Sequence, residues 1–144
     1  MAEPVTLICD GAPPLSSAPY RSVETAPVLR LIHHNIYEYG RGVRGLFLMT
    51  VTRPELALAL AKLDAHGIPR FVQDLSPVKA NLFFGRPAFV AVARAIVTRP
   101  LNALTAEEDF MLGTLLGYDR EQQCHRFLTR SGRSMPDDMP LAAE

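Results

Sequence analysis

The chain has 144 residues, 15 basic and 15 acidic, of which 48% are apolar and 21% charged. These are the proportions of an ordinary soluble globular domain, and they exclude collagen, a coiled coil, a fully disordered chain and a disulfide-stapled scaffold. One domain is expected, because a chain this long buries roughly two thirds of its unfolded surface and folds without a metal or disulfide.

Residues 1–27 hold five of the twelve prolines, with Pro13 and Pro14 adjacent and Gly11, Ser16 and Ser17 close by. They read as an irregular arm, in which Val5–Ile8 offers a short edge strand. The body, 28–130, begins with Leu29–His34, an extended candidate, and a short helix from Ile36 to Gly42. Gly45–Val51 is a nearly unbroken apolar run of strand length, suited to burial on both faces. Thr52 then caps a helix that has Pro54 in its first turn and Glu55 closing a capping box. Its buried stripe is Leu56, Leu60 and Leu63, and Gly67 suits the left-handed position at its end.

Ile68–Leu75 is the second strand, Ser76–Ala80 a turn set by Pro77, and Asn81–Gly85 the third strand. Arg86-Pro87 opens a helix directing Phe89, Val92, Ala93 and Ile96 at the sheet. Thr105 with Glu108 starts the next helix, Gly117 ends it, and Asp119 with Gln122 starts the last. Residues 131–144, with Gly132, Pro136 and Pro140, read as a flexible tail. The result is a single α+β domain, α-β-α-β-β-α-α-α, with a small three-stranded mixed sheet packed by about five helices. The first two strands are expected to be parallel through a right-handed crossover, and the second and third to form a hairpin. Open sheet edges favour a homodimer.

Zero net charge hides an asymmetry. Residues 28–130 carry 13 basic and 9 acidic side chains, and the flanks carry 2 and 6. A basic body between acidic tails favours an acidic partner through encounter rate, in a salt-dependent way. The excess is too small and too dispersed to indicate nucleic acid. No apolar run approaches the ~20 residues of a membrane span. The start Met-Ala-Glu-Pro lacks a basic segment, and Cys9 and Cys124 make no disulfide framework, so a cytoplasmic protein is expected.

Few residues suggest chemistry. Tyr37 and Tyr39 with Arg41 and Arg44 form a candidate recognition patch, since Tyr and Arg are favoured at interface hot spots. The segment from Asn81 to Arg86 offers Arg86 and the N–H groups of a helix start to an anion. His33, His34 and Glu38, joined by Cys124 or His125, form a candidate divalent-metal set. Cys124, near Arg120, His125 and Arg126, is a candidate redox thiol. No phosphate-binding loop, dinucleotide fingerprint, nucleophile elbow or kinase signature occurs, so no catalytic residue is assigned, no cofactor is implied and an enzyme is not favoured.

Three segments resemble one small bacterial family, domain of unknown function 2023: His33–Tyr39 with Gly42-Val-Arg44, Asn81–Gly85, and Leu104–Asp119 with Gln123-Cys124. The resemblance covers about 28–130 and implies three strands, five helices and a homodimer. It also implies an association with flavodoxin, an acidic electron carrier. The leading expectation is therefore a non-catalytic partner or regulator of a flavodoxin-type protein, docking through Arg41, Arg44 and Arg86 with Tyr37 and Tyr39 as anchors. The competing expectations are a metal- or haem-responsive binding protein using His33 and His34, and a small thiol-redox enzyme using Cys124.

Overall fold

The computed structural model describes residues 27–137. The expected edge strand at Val5–Ile8 and Cys9 lie outside them, as does the tail beyond 137. Five α-helices and three strands follow one another in the expected order. They are α1 (27–40), β1 (Leu46–Thr52), α2 (Arg53–Ala65), β2 (Arg70–Asp74), β3 (Lys79–Gly85), α3 (Pro87–Ile96), α4 (Ala106–Leu115) and α5 (Arg120–Arg130). A single 3-10 turn, Leu101–Ala103, precedes α4. The fold is α+β.

The strand order is β1-β3-β2, and β3 runs antiparallel to both neighbours. The hairpin of β2 and β3 is as expected, but β1 and β2 are not neighbours. They run in the same direction with β3 between them, so the sheet is antiparallel throughout rather than mixed. The reason is visible in β3, where Ala80 to Gly85 are all buried. A strand with no exposed face gains most at the centre of the sheet, and the less buried β2 is left at an edge.

Side-chain alternation along the strands divides the core in two. On one face Phe47, Met49 and Val51 of β1 join Ala80, Leu82 and Phe84 of β3 beneath α1 and α2. On the other, Leu46, Phe71 and Phe83 meet Val90, Ala93 and Val97 of the α3 region together with Leu104, Leu112 and Leu116. Each face carries one stacked cross-strand aromatic pair: Phe47–Phe84 at 5.2 Å between centroids and Phe71–Phe83 at 4.5 Å. Such pairs contribute roughly 0.5–1.5 kcal/mol beyond their burial.

Helix starts follow their local signals. Both halves of the capping box are present at Thr52/Glu55 and at Thr105/Glu108, and Asp119 accepts from the Gln122 amide at 2.9 Å. Two local expectations change. Residues 29–34 are helical, not extended, and α1 is continuous to residue 40. Val28, Ile32, Asn35 and Tyr39 lie on one side of a helix, and burying Val28 and Ile32 against the sheet outweighs the weak local preference of the β-branched residues. In α3, Val92 is 41% exposed and Val90 takes its place in the core, because the inward stripe runs 89, 90, 93, 96, 97. Among the described residues no helix is long and apolar enough to cross a membrane.

Candidate functional site

The candidate basic surface forms where α1 ends, β1 begins and β3 passes into α3. Helix α1 closes with the Gly42 N–H donating to the Tyr39 carbonyl at 3.1 Å and the Val43 N–H to the Glu38 carbonyl at 3.0 Å. This closure needs the left-handed conformation that Gly42 adopts at φ 73°. It turns the chain sharply and leaves Arg41 and Arg44 on either side of the turn.

Each arginine there is held by an aromatic ring. The Arg41 guanidinium lies 5.6 Å from the Tyr37 ring centroid, and its Nη1 donates to Tyr37 Oη at 2.8 Å. Arg44 lies over Phe47 at 4.4 Å and donates to Glu38 Oε1 from Nε at 3.1 Å and from Nη2 at 2.9 Å. Arg86 reaches Phe89 at 5.8 Å. Its backbone N–H donates to the Gly45 carbonyl at 2.8 Å, which fixes the junction of β3 and α3 against the start of β1. The Arg86 Nη2 stands 3.6 Å from where a side chain on Gly42 would begin. Arg41, Arg44 and Arg86 are thereby brought to one end of the molecule, although they come from segments about 40 residues apart in sequence.

Their electrostatics differ. Arg44 is neutralised by Glu38, which also meets His34 Nε2 at 2.9 Å. The hydrogen bond from Arg44, helped by the charges of Arg44 and His34, holds the Glu38 carboxyl below its ordinary range. Among the described residues, neither Arg41 nor Arg86 has an ion-pair partner. Tyr37 is 59% exposed beside them.

Two other residues of the expected patch point elsewhere. Tyr39 is half-buried and packs against the α1–α2 core. Asn81 is 2% exposed, and its amide is spent on Thr50 and Gln73. Of the candidate metal set, His34 and Glu38 meet as an i, i+4 pair on α1, while His33 is exposed on the same helix. Cys124 is an exposed free thiol on α5, and His125 pairs with Glu121 on that helix. Among the described residues no three His, Cys, Asp or Glu side chains converge as a metal site.

A second feature escapes the sequence reading. A cleft of about 430 Å³ opens beside β1 between the 3-10 turn, α4 and α5, with Leu48, Leu101 and Leu112 among its apolar walls and Gln123 as a polar one. Gln123 is 8% exposed and lies so tightly on Gly113 that a Cβ there would stand 2.1 Å from its Oε1. Asp109 receives Arg126 and Arg130 across the α4–α5 contact, and Phe110 meets Phe127 edge-on at 5.8 Å. The one sequence signal was a glycine inside the apolar α4 pattern, which marks a close approach.

Among curated proteins none is similar to this chain. The sequence profile of one family, described as protein of unknown function (DUF2023), matches residues 30–130. That span runs from within α1 to the last residue of α5 and contains the basic surface and the cleft. A match over more than two thirds of the 144 residues identifies the chain as a member of the DUF2023 family.

Proposed function

We propose that this chain is a non-catalytic binding protein whose basic end docks an acidic protein, a flavodoxin-type redox carrier being the partner class. The observation that carries this reading is the pairing of Arg41 and Arg86 around Gly42, uncompensated by carboxylates among the described residues, with exposed Tyr37 alongside. Fixed positive charge accelerates encounter with an acidic surface. Tyr and Arg held rigid before binding lose little conformational freedom on contact and are the residue types that dominate interface energetics. The hydrogen bond from Arg41 to the Tyr37 hydroxyl and the approach of Arg86 to the Phe89 ring favour that reading.

Self-association belongs to the same proposal. Among the described residues β1 and β2 each have an edge with no strand partner, and an apolar groove on α3 and α4 includes Val92 and Met111, both more than 40% exposed. A homodimer relieves both exposures. Sedimentation of the full chain at micromolar concentration is expected to return the dimer mass, and a monomer there overturns this part.

The docking reading is tested by calorimetric titration of the full chain with flavodoxin of the same organism, at low and high salt. Binding that weakens with salt is expected, and the Arg41→Glu/Arg86→Glu double variant is expected to weaken it about tenfold or more. Absence of a complex at low salt, or unchanged affinity in the double variant, removes the proposal.

A further inference from the structure

We propose that the cleft bounded by β1, α4 and α5 is a binding site for a small uncharged molecule with an apolar body and a single carboxamide or lactam edge. Gln123 is more than nine-tenths buried as a residue and lines the cleft, and its side chain makes no hydrogen bond among the described residues. A buried amide without partners is a standing cost to the fold. Of the other two buried amides, Asn81 is bonded on both its oxygen and its nitrogen and Asn35 on its oxygen, so Gln123 is the one of the three with no bond among the described residues, an exception that calls for an occupant.

The site is built around that amide. Gly113 leaves space for it to lie against α4, where any larger residue would displace it. The Asp109 contacts with Arg126 and Arg130 and the Phe110–Phe127 contact clamp α5 to α4 and hold Gln123 in place. The volume, about 430 Å³, falls within the range usual for small-molecule pockets, which are mainly apolar with a few placed polar groups.

The chemistry of the occupant follows from the walls. Leu48, Leu101, Leu104, Leu112 and Leu116 call for an apolar body. A carboxamide presents one acceptor and two donors side by side, so it pairs in two hydrogen bonds with a –CO–NH– edge. The lining holds one acid and one base, Asp109 and Arg126, and they pair with each other, so the walls carry no net charge that asks for a charged ligand.

The test uses the isotope-labelled full chain and benzamide as probe, with ethylbenzene and benzoate as comparators, followed by nuclear magnetic resonance at the Gln123 side-chain amide and the Gly113 N–H. Benzamide is expected to shift both signals saturably and to bind about tenfold more tightly than ethylbenzene, the worth of a satisfied buried amide. In Gln123→Leu the two probes are expected to bind within about twofold of each other, while the melting temperature stays level or rises. The native-protein comparison stands without the variant. No saturable shift, equal binding of benzamide and ethylbenzene by the native protein, or tighter binding of benzoate than of benzamide overturns the proposal. So do cross-peaks from the Gln123 amide of the unliganded chain to residues 1–26 or 138–144, which identify the chain itself as the occupant.

Discussion

Thr50 on β1 and Asn81 on β3 are register partners, and the Thr50 hydroxyl donates to Asn81 Oδ1 at 2.7 Å. The row continues across the sheet, with Asn81 Nδ2 donating to Gln73 Oε1 at 2.9 Å and Gln73 Nε2 donating to the Arg99 carbonyl at 2.8 Å. Asn81 therefore ties both edge strands to the centre, and Gln73 ties the edge strand β2 to the segment after α3. A side-chain row anchored on a buried amide bonded at both ends also fixes register, since sliding either edge strand by one residue would leave Asn81 without its partner on that strand.

Asn81→Ala is accordingly expected to lower stability by about 1–3 kcal/mol, from the loss of two hydrogen bonds worth about 0.5–1.5 kcal/mol each. Urea unfolding of the full chain measures it. A loss below about 0.5 kcal/mol would show that the row contributes nothing to the fold.

Gly85 is the β3 residue opposite Leu46. Its φ is 153°, and a Cβ there would stand 2.1 Å from the Gly45 carbonyl oxygen. Backbone cannot move aside as a flexible side chain does. Gly85→Ala is expected to cost at least the 1–3 kcal/mol usual for overpacking, with poor soluble yield. Gly40, with nothing within 4 Å of its Cβ position and at the end of α1, is the control. Gly40→Ala is expected to be neutral or to stabilise by up to about 1 kcal/mol, and comparable losses in the two variants would refute the steric account.

The Glu38 carboxyl is held below its ordinary range by Arg44, so the folded state favours the ionised form more than the unfolded chain does. That stability is fully present above the ordinary carboxylate range and disappears as the pH falls through the lowered folded value. Unfolding of the native protein at pH 6 and at pH 3.5 is expected to show a larger difference than unfolding of Glu38→Gln at the same two values. Identical differences would mean that the partly exposed Arg44–Glu38 contact contributes nothing measurable.

Much of the secondary structure was legible in the chain because its signals are local. Thr52 and Glu55, or Thr105 and Glu108, lie three residues apart, and their reciprocal bonds form whenever the first turn of a helix forms. Gly67 and Gly117 mark helix ends for the same reason. The span 29–34 carries no such local signal, because its residues, taken alone, serve either state. Only the sheet beneath α1 selects the helix, by burying Val28 and Ile32.

The candidate site was legible in part. Arg41, Arg44 and Tyr37 are near neighbours in sequence, and Arg86 joins them only because β3 pairs with β1 and delivers Gly85 and Arg86 to Gly45. Tyr39 is two residues from Tyr37 in a helix, hence on another face, and it turns inward. Gln123 gave no signal of its own, since its significance lies in Gly113, ten residues earlier and on a different helix.

The number and order of the elements, their caps and the α+β class follow from local sequence, because hydrophobic period and capping act over three to seven residues. The position of β3 between β1 and β2, the covering of the sheet on both faces and the placing of Gln123 beside a cleft arise only on folding. These depend on pairings between segments ten to forty residues apart. Each is settled by which arrangement buries β3 on both faces and satisfies Asn81, a comparison among whole folds that no short stretch of the chain contains.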